Sequence, residues 1–550
     1  MWNLLRENSR RVRVRVLHSL IAESDEVDIK RGLPEGSRLS PTLFGLFASE
    51  LIRELQAAFP HLKFPEISSV DDLNWIGAFL YVDDLVLLAT SEKQLQEMIN
   101  AVQDWADRSR MQINTEKTEV MAFFETPAMK AARTSATFVV TFRFPASKPP
   151  RHIQLKEPPT FTYLGLQLDP ILSMFAAANH MVSKINWAHL TIAAVAHSLH
   201  HDTPLRLQHC RSSPLLLFRL WQSCVLPFAT TNLRYLTNNA QIDKVQSALI
   251  SSLTRTLRCY APPQILMVEL GIPPLKLQQA AQLVGIHFRY TVTHTHLIAA
   301  KLYTLRGSKR CSNRHPPASM ENRIAAAHQL LHLSHQYPGP PPIPHPVQQA
   351  KQANKCKSYA RYLKKHVNQE WYRQLRSAHP PAYFSQDPIS RTQAYIHTFL
   401  PPTLPFMHKL PLYLSSFTES NTISILRFRT QCHELIPTHS PDISTSRRDD
   451  YASRLCNYCS NQETGSELHI FLDCPYTKHI STQIISTLTD LLDTMQLAAW
   501  NTLSRTQQLS LILGTPPADL LQKKHEAWIK ITLPHSLRYV SDIQKLLYST

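Results

Sequence analysis

The stretch that decides the fold is Ala78-Phe79-Leu80-Tyr81-Val82-Asp83-Asp84-Leu85-Val86-Leu87-Leu88-Ala89. Two adjacent carboxylates stand at its centre, with an apolar run of strand length on each side. This pattern predicts a buried β-hairpin with Asp83 and Asp84 at its turn. Two carboxylates in an apolar frame repel each other and lose hydration, so they persist there only beside a positive charge.

A divalent metal ion is the partner that this acid pair favours. Hard oxygen ligands suit magnesium, and magnesium suits phosphoryl or nucleotidyl transfer. The alternative is a surface turn that happens to carry Asp-Asp, which is the commoner fate of the dipeptide taken alone.

Length and composition bound the class of protein. A chain of 550 residues predicts two to four domains of roughly 100 to 200 residues each. Lys and Arg outnumber Asp and Glu by 58 to 41, and the formal charge of +17 favours a polyanionic partner such as nucleic acid.

No apolar run is long enough to span a bilayer and no signal peptide is evident, which predicts an intracellular protein, in the nucleus or cytoplasm, without a membrane partner. Nine cysteines, mostly scattered, argue against a disulfide framework.

A glycine-containing loop leads into a helix upstream of the acid pair. Residues 31–44 read RGLPEGSRLSPTLF, and their glycines, proline and serine predict the loop. Ser40 is predicted as the N-cap of an apolar helix and Pro41 as part of its first turn. Such a loop lets backbone amides approach a phosphate or a sugar closely.

These two stretches, GLPEGSRLSPTLF and FLYVDDLVLLA, resemble motifs B and C of a reverse transcriptase palm, closest to the non-LTR (LINE-type) retrotransposon group. Further similarities follow in family order. An amphipathic helix is predicted for residues 91–105, residues 113–119 are similar to motif D, and residues 161–166 are similar to the primer-grip hairpin of motif E. The resemblance covers residues 1 to about 170. It implies an RNA-directed DNA polymerase, a nucleotidyltransferase whose partners are an RNA template, a DNA primer and deoxynucleotides.

The resemblance also implies roles for individual residues. Asp83 and Asp84 match the ligands of catalytic Mg²⁺, and Lys117 matches the lysine that protonates the leaving pyrophosphate, although it is equally an ordinary exposed lysine. The nucleotide-facing positions are Gly36, Ser37 and Ser40, and the primer-grip positions are Tyr163, Leu164 and Gly165.

Three features depart from the family pattern. Glu35 stands where the family usually has Gln, and Val82 stands where Ala is commoner. Met1 lies only 31 residues before Gly32, so the motif A carboxylate and the fingers are expected to be missing. The expectation is therefore a polymerase fragment that is inactive by itself, and the alternative is a non-catalytic remnant that binds nucleic acid.

Four metal-ligand residue types lie close together near the C-terminus, in the order Cys456-x2-Cys459-x9-His469-x4-Cys474. Three thiols and an imidazole at this spacing suit tetrahedral Zn²⁺ in a closed structural site. Scattered buried cysteines are the alternative, and His479 is a spare ligand candidate. The segment also resembles the C-terminal CCHC segment of LINE-type proteins.

The remaining segments give weaker signals. Residues 170–310 are predicted to be mainly helical, and VELGIPPL at 268–275 resembles a segment that follows the thumb in LINE-type proteins. Residues 338–346 are proline-rich and predict a linker. After them, Lys351, Lys355, Lys357, Arg361, Lys364 and Lys365 alternate with Tyr359, Tyr362, Trp371 and Tyr372. This mixture indicates either a nucleic-acid surface or a solvated amphipathic helix.

The predicted fold class is α+β: a partial polymerase palm, made of an antiparallel sheet with helices, followed by a mostly helical thumb and a C-terminal region with a small zinc module. The predicted domains are 1–170 for the partial palm, 171–310 for the thumb and connection, 311–350 for the linker, 351–450 for a basic helical region, and 451–550 for the CCHC module and its helices.

Overall fold

The structure is a computed structural model of the chain. It describes residues 13–14, 27–28, 39–62, 75–123, 139–142, 151–154, 158–201, 214–293, 320–333, 346–378, 456–460 and 467–513, apart from positions 115, 258, 260 and 457, and also residues 395, 396, 426, 429 and several between 535 and 546. The chain divides into two compact units, residues 1–161 and 162–550.

Among its described residues, the first unit consists of short strands and two helices. Its elements are β1 (Arg13–Val14), β2 (Val27–Asp28), α1 (Ser40–Ala58), β3 (Ala78–Tyr81), β4 (Asp84–Leu87), α2 (Glu92–Arg108), β5 (Val139–Phe142) and β6 (Arg151–Gln154). The described strands pair antiparallel as β1–β2, β3–β4 and β5–β6. Each pair is a separate two-stranded ribbon, so within the described residues they do not join into the single palm sheet that the sequence led us to expect.

Both helices of the first unit begin close to the predicted positions. Helix α2 starts after Ser91, whose side chain accepts a hydrogen bond from the Gln94 amide, as an N-cap does. Helix α1 includes Ser40 as its first residue, and Leu39 takes the N-cap position without a side-chain bond. The prediction that Ser40 is the N-cap was therefore wrong by one residue, although Pro41 does lie in the first turn, where its missing amide costs nothing.

The core of the first unit lies between these helices and the β3–β4 hairpin. Leu51 and Leu55 of α1 pack with Met98, Val102 and Trp105 of α2. The apolar residues recur at helical spacing, so each helix turns one stripe toward the other and toward the hairpin.

The second unit opens with a tight hairpin, β7 (Phe161–Tyr163) and β8 (Leu166–Leu168). Leu164 and Gly165 form its two-residue turn, with φ of 47° and 79°. Positive φ at both turn positions is the geometry of a type I′ turn, which glycine enters at no steric cost. The hairpin predicted here from the motif E resemblance is confirmed as a structure. The Gly165 carbonyl accepts a hydrogen bond of 2.9 Å from the Asn232 side chain, which fixes the turn against the following helices.

Helices make up most of the residues that the structure describes in the rest of the second unit. They are α3 (Phe175–His201), α4 (Pro214–Cys224), α5 (Leu226–Thr230), α6 (Asn239–Leu257), α7 (Pro263–Leu270), α8 (Leu275–Phe288), α9 (Met320–Leu330), α10 (Pro346–Ala378), α11 (Lys478–Asp490), α12 (Thr494–Thr502) and α13 (Arg505–Ile512). The mainly helical character predicted for residues 170–310 is confirmed where the structure describes them.

One continuous hydrophobic core runs through the second unit. Its buried side chains extend from Ala177 in α3 to Ile543, and they include Phe471 beside the cysteine-rich segment. The predicted subdivision at residues 310, 350 and 450 stays a prediction about segments of sequence, but side chains from these segments share a single core.

A buried ion pair crosses this core. The Arg429 guanidinium donates to both carboxylate oxygens of Glu269, at 2.6 and 3.1 Å, and to the Leu513 carbonyl at 3.0 Å. The Tyr395 hydroxyl also donates to Glu269. Burial, and then the neighbouring Glu269 carboxylate, raise the pKa of Tyr395, so the phenol stays protonated as a donor. The network joins helix α7 to residues more than a hundred positions later in the chain.

The VELGIPPL segment supplies both Glu269 and the end of α7. Gly271 takes a φ of 66° after the helix, and the Ile272 amide donates to the Met267 carbonyl at 2.9 Å. This is a Schellman cap, and its left-handed position explains why the segment has glycine there. The sharp turn places Leu275 at the start of α8, directly after two prolines.

The long helix α10 moves the predicted end of the linker, and it agrees with the amphipathic helix that was one of the two alternatives for the basic segment. It begins at Pro346, which was assigned to the linker, while residues 338–345 lie outside the described residues. Proline fits the first helical position because its amide would have no intrahelical partner there. Tyr359, Trp371 and Tyr372 are buried in the core, so they are not free to stack on bases, and only Tyr362 of the four aromatics is exposed.

Within the described residues, no helix is both long enough and apolar enough to cross a membrane.

We expect the Glu269–Arg429 pair to be costly to break on one side only. Replacing Arg429 by Met leaves a buried carboxylate without its cation and should lower the free energy of unfolding by about 3–5 kcal/mol. Adding Glu269→Leu to that variant should recover much of the loss, because no buried charge then remains. Urea unfolding followed by circular dichroism measures both effects.

The matched control for this pair is Arg538→Met. Arg538 lies 3.9 Å from Asp542 in an exposed pair, so its loss should change stability by less than about 1 kcal/mol. Equal losses for the Arg429 and Arg538 variants would contradict the importance assigned to the buried pair.

Candidate functional site

The acid pair lies at the tip of the β3–β4 hairpin. Tyr81 pairs with Asp84 across the ladder, so Val82 and Asp83 form a two-residue turn. The predicted hairpin is therefore confirmed, with Asp83 in the turn and Asp84 as the first residue of β4.

The hairpin is covered on one face only. Ala78, Leu80, Leu85 and Leu87 point toward the core formed with α1 and α2. The opposite face carries Phe79, Tyr81, Val86 and Asp84; Tyr81 is 59% exposed. Residues alternate between the two faces of a strand, so covering one face leaves the other open.

The prediction of a buried acid pair was wrong. Asp83 and Asp84 are both exposed, because the pair lies at the turn and on the uncovered face of the ribbon. They keep their contact with water, so the folded chain itself does not require a positive charge beside them. Their exposure leaves both carboxylates accessible to a ligand.

Val82 has a strained backbone. Its φ is 53°, in the left-handed region, whereas Asp83 has no positive φ. In a two-residue hairpin turn this combination is typical of type II′, which prefers glycine at the first position. A β-branched residue there is an outlier, and strain of this kind tends to occur at functional turns. The resulting turn holds the backbone of the adjacent Asp83 in a defined orientation.

The other residues predicted for the nucleotide site are only partly described. Gly36 and Ser37 lie outside the described residues, and Ser40 is half-buried in the first turn of α1. Lys117 is exposed, and its amide donates to the Asn114 carbonyl at 3.2 Å in a turn. Within the part of the chain that the structure describes, no third Asp, Glu, His or Cys joins Asp83 and Asp84 in a group able to hold a metal ion.

The primer-grip residues belong to the second unit. Leu164 is 48% exposed at the type I′ turn, Gly165 is exposed beside it, and Tyr163 is half-buried on β7. An exposed apolar side chain at a rigid turn is suited to contact with a ligand.

The four residues predicted to bind zinc lie together. Their ligand atoms are all within 4.8 Å of one another, although the chain between them is up to 18 residues long. The Sγ atoms of Cys456 and Cys474 are 3.9 Å apart, and Cys459 Sγ lies 3.3 Å from His469 Nε2. A tetrahedral ion with Zn–S bonds of about 2.3 Å and a Zn–N bond of about 2.0 Å sets neighbouring ligand atoms about 3.6–3.8 Å apart. The observed spacing fits that geometry.

Burial indicates a closed, structural type of site. Cys456, His469 and Cys474 are buried and Cys459 is partly exposed. Burial, and to a smaller extent the nearby Cys474, raise the pKa of the Cys456 thiol to about 11. A cation among the sulfurs would reverse this effect by stabilising the thiolates. His479 is exposed and is not part of the group.

The turn that carries His469 is supported by groups that the motif does not reveal. The Cys474 amide donates to the His469 carbonyl at 2.6 Å, and Thr477 Oγ1 donates to the Ile470 carbonyl. The Tyr539 hydroxyl donates to the Phe471 carbonyl from 68 residues further along, and burial raises its pKa. Thr477 lies beside the motif and could have been considered, whereas no local signal points to Tyr539.

We expect Val82→Gly to relieve the strain in the acid turn. A left-handed backbone costs an L-residue such as Val82 roughly 1–2 kcal/mol, and glycine avoids this cost. Part of the gain is lost again because glycine has more conformational freedom in the unfolded chain. The local gain should be about 1 kcal/mol. The more stable hairpin of the Val82→Gly variant should slow hydrogen exchange at the Leu88 amide, which donates to the Gly77 carbonyl at 2.8 Å. The control Val86→Gly, in the ladder itself, should accelerate exchange; slowing by both variants would contradict the strain assigned to Val82.

We expect the Cys456, Cys459, His469 and Cys474 group to bind one Zn²⁺ per chain. Cys474→Ser should abolish stoichiometric zinc, measured by mass spectrometry of the metal, and should lower thermal stability. In free zinc a thousandfold above Kd, the bound metal contributes about 4 kcal/mol. Zinc affinity should fall as the pH is lowered, because the thiols bind as thiolates. Cys224→Ser removes an exposed free thiol and is the control. Unchanged zinc content in the Cys474 variant would rule out this site.

Comparison with known proteins places part of the chain in a protein family and identifies a curated relative. Residues 8–168 match the family described as reverse transcriptase (RNA-dependent DNA polymerase). The RNA-directed DNA polymerase from mobile element jockey of Drosophila melanogaster is 31% identical over 147 residues, which is 26% of this chain and 13% of that protein. The similarity thus spans a small part of the relative, and no solved structure matches the chain. Residues 8–168 form a reverse transcriptase domain homologous to that of a mobile-element polymerase.

Proposed function

We propose that the chain is an RNA-directed DNA polymerase of the non-LTR retrotransposon type. The observation that carries the proposal is the Asp83–Asp84 pair, exposed at the strained tip of a hairpin inside the segment that matches the reverse transcriptase family. The basic balance of the whole chain, with a formal charge of +17, supports nucleic-acid partners. An RNA template, a DNA primer and deoxynucleotides are the partners proposed.

The residues present supply part of a magnesium site. Asp83 and Asp84 offer hard carboxylate oxygens on an accessible turn, which are ligands that Mg²⁺ accepts. Magnesium bound there would neutralise phosphate charge during attack of the primer 3′-hydroxyl on the α-phosphate of a deoxynucleotide. The protein contributes the orientation of the two acids, which the two-residue turn fixes. Lys117, exposed and cationic, is proposed to donate a proton to the leaving pyrophosphate.

The Cys456, Cys459, His469 and Cys474 group is proposed as a structural zinc site. Its role is to fix the segment between residues 456 and 477 against the core of the second unit, where Phe471 is fully buried. Zinc in such a closed site contributes folding energy and takes no part in chemistry.

A second candidate is a protein that binds nucleic acid without polymerising. It is favoured by one observation: among the described residues, Asp83 and Asp84 have no third carboxylate beside them, and two-metal transfer requires further ligands. In that case the net positive charge of the chain and the zinc module would account for the binding of nucleic acid.

We expect primer extension to separate the two candidates. Under the first candidate, and contrary to the inactivity expected from the sequence, the chain incorporates nucleotide with an RNA template, a DNA primer, deoxynucleotides and Mg²⁺, and Asp83→Asn should reduce the rate more than about a hundredfold because it removes a metal ligand. Glu97→Gln, an exposed acid on α2, is the control and should retain activity.

The outcomes are distinct. Nucleotide incorporation by the Asp83→Asn variant at the rate of the parent chain would contradict the metal-binding role assigned to Asp83. Salt-sensitive binding of the template–primer with no incorporation would favour the second candidate.

A further inference from the structure

Helix α10 has a row of four exposed cations opposite its buried side. These residues, here called the cation stripe, are Lys357, Arg361, Lys364 and Lys365. With 3.6 residues in each turn, they fall within an arc of about 100° and span about 12 Å along the axis. On the other side of the helix, Tyr359, Leu363 and Val367 enter the core. The core thus fixes which way the stripe faces.

Within the part of the chain that the structure describes, no acid pairs with the stripe. Glu370 is the only acid between Pro346 and Ala378, and it is buried, 2.8 Å from Arg373 and 3.2 Å from His332. Among the described residues, no ion pair includes a member of the stripe. Its positive charge is therefore available to an external anion.

The arrangement works against the stability of the helix. Lys357 and Arg361, and Arg361 and Lys365, are like charges four residues apart, which destabilise a helix. An extended polyanion would relieve both repulsions at once, whereas a single small anion would meet only part of the stripe. The spacing along one helix edge therefore fits a chain of phosphates.

Tyr362 borders the stripe, one turn before Lys365. Its side chain is 45% exposed, and its ring lies 4.3 Å from the His366 ring and 5.8 Å from the Tyr359 ring. Tyr359 in turn stacks on Phe288 in the core at 4.0 Å. The exposed ring is thus held by a column of rings instead of moving freely. A fixed aromatic beside cations is the combination that binds a base together with its phosphates.

We propose that the cation stripe and Tyr362 form a binding surface for single-stranded nucleic acid. Phosphates follow the cations along α10, and an unpaired base stacks on Tyr362. A single strand fits better than a duplex because the bases of a duplex are already stacked on each other. The surface is additional to the polymerase residues and does not rest on their activity.

The test measures binding of the full chain to a labelled oligothymidylate of about 20 nucleotides, and to a duplex of equal length, by fluorescence anisotropy. The stripe variant has all four cations replaced by glutamine. A matched variant loses the same charge from exposed positions scattered over the second unit: Arg219→Gln, Lys276→Gln, Lys478→Gln and Lys545→Gln.

We expect the stripe variant to bind the single strand at least about tenfold more weakly. The slope of log Kd against log salt should fall by up to about 3, since each phosphate neutralised on a single strand contributes about 0.7. The scattered variant should change the affinity far less. Equal losses in the two variants would overturn the proposal, because they would show that only the total charge matters.

The aromatic position has its own test. Tyr362→Leu should weaken single-strand binding about tenfold, leave the salt slope unchanged, and leave duplex binding unaffected. Tyr235→Leu, at another partly exposed tyrosine, is the control. A Tyr362 variant that binds the single strand as the parent does would overturn the stacking role, and equal losses on single strand and duplex would overturn the preference for a single strand.

Folding and polymerase activity are controlled separately. Circular dichroism should show the stripe variant at least as stable as the parent, because like charges are removed.

Photocrosslinking of the unaltered chain to a thiouridine-containing oligonucleotide should label residues 357–365, and labelling confined to other segments would overturn the proposal. The Asp83→Asn variant, which is expected to lose primer extension, should bind the oligonucleotide as the parent chain does. A failure of the proposed polymerase function can therefore be told apart from a failure of this binding surface.

Discussion

The second unit depends on the burial of one guanidinium. Arg429 is fully enclosed, and its bonds to Glu269 and to the Leu513 carbonyl join three distant parts of the chain. A buried charge is tolerated only when its partners are correctly placed, so we infer that the network favours this arrangement of helix α7 with residues 429 and 513 over others. The apolar core around it supplies stability without such selectivity, because many packings of Leu and Ile have similar energies.

The two candidate sites stand in opposite environments. The cysteine-rich group is enclosed, and its ligand atoms converge because the turn at 469–473 is fixed by hydrogen bonds on several sides. The acid hairpin is open, and its order comes from a two-residue turn and from one covered face. An enclosed site suits a permanent structural ion, whereas an open one suits ligands that must enter and leave.

Local patterns in the sequence predicted much of this. The 3.6-residue period predicted helix α2, the two apolar runs around Asp83 predicted a hairpin, and the spacing of Cys456, Cys459, His469 and Cys474 predicted that these four residues lie together. What failed depended on distant residues. The burial of Tyr359, Trp371 and Tyr372 follows from helices that pack against α10, and the exposure of Asp83 and Asp84 follows from which face of the ribbon is covered. Neither is encoded within a few residues of the side chain concerned.

The shared core of the second unit has a consequence for the evolution of the cysteine-rich segment. A zinc finger that folds by itself can be moved between proteins, because its few side chains bury one another around the metal. Here Phe471 is buried among residues of other helices, and its carbonyl is held by Tyr539. Excised from the chain, residues 456–477 would keep four ligands but lose the surroundings that orient them. We therefore expect the described residues around the four ligands to depend on the rest of the chain, unlike those of a portable module.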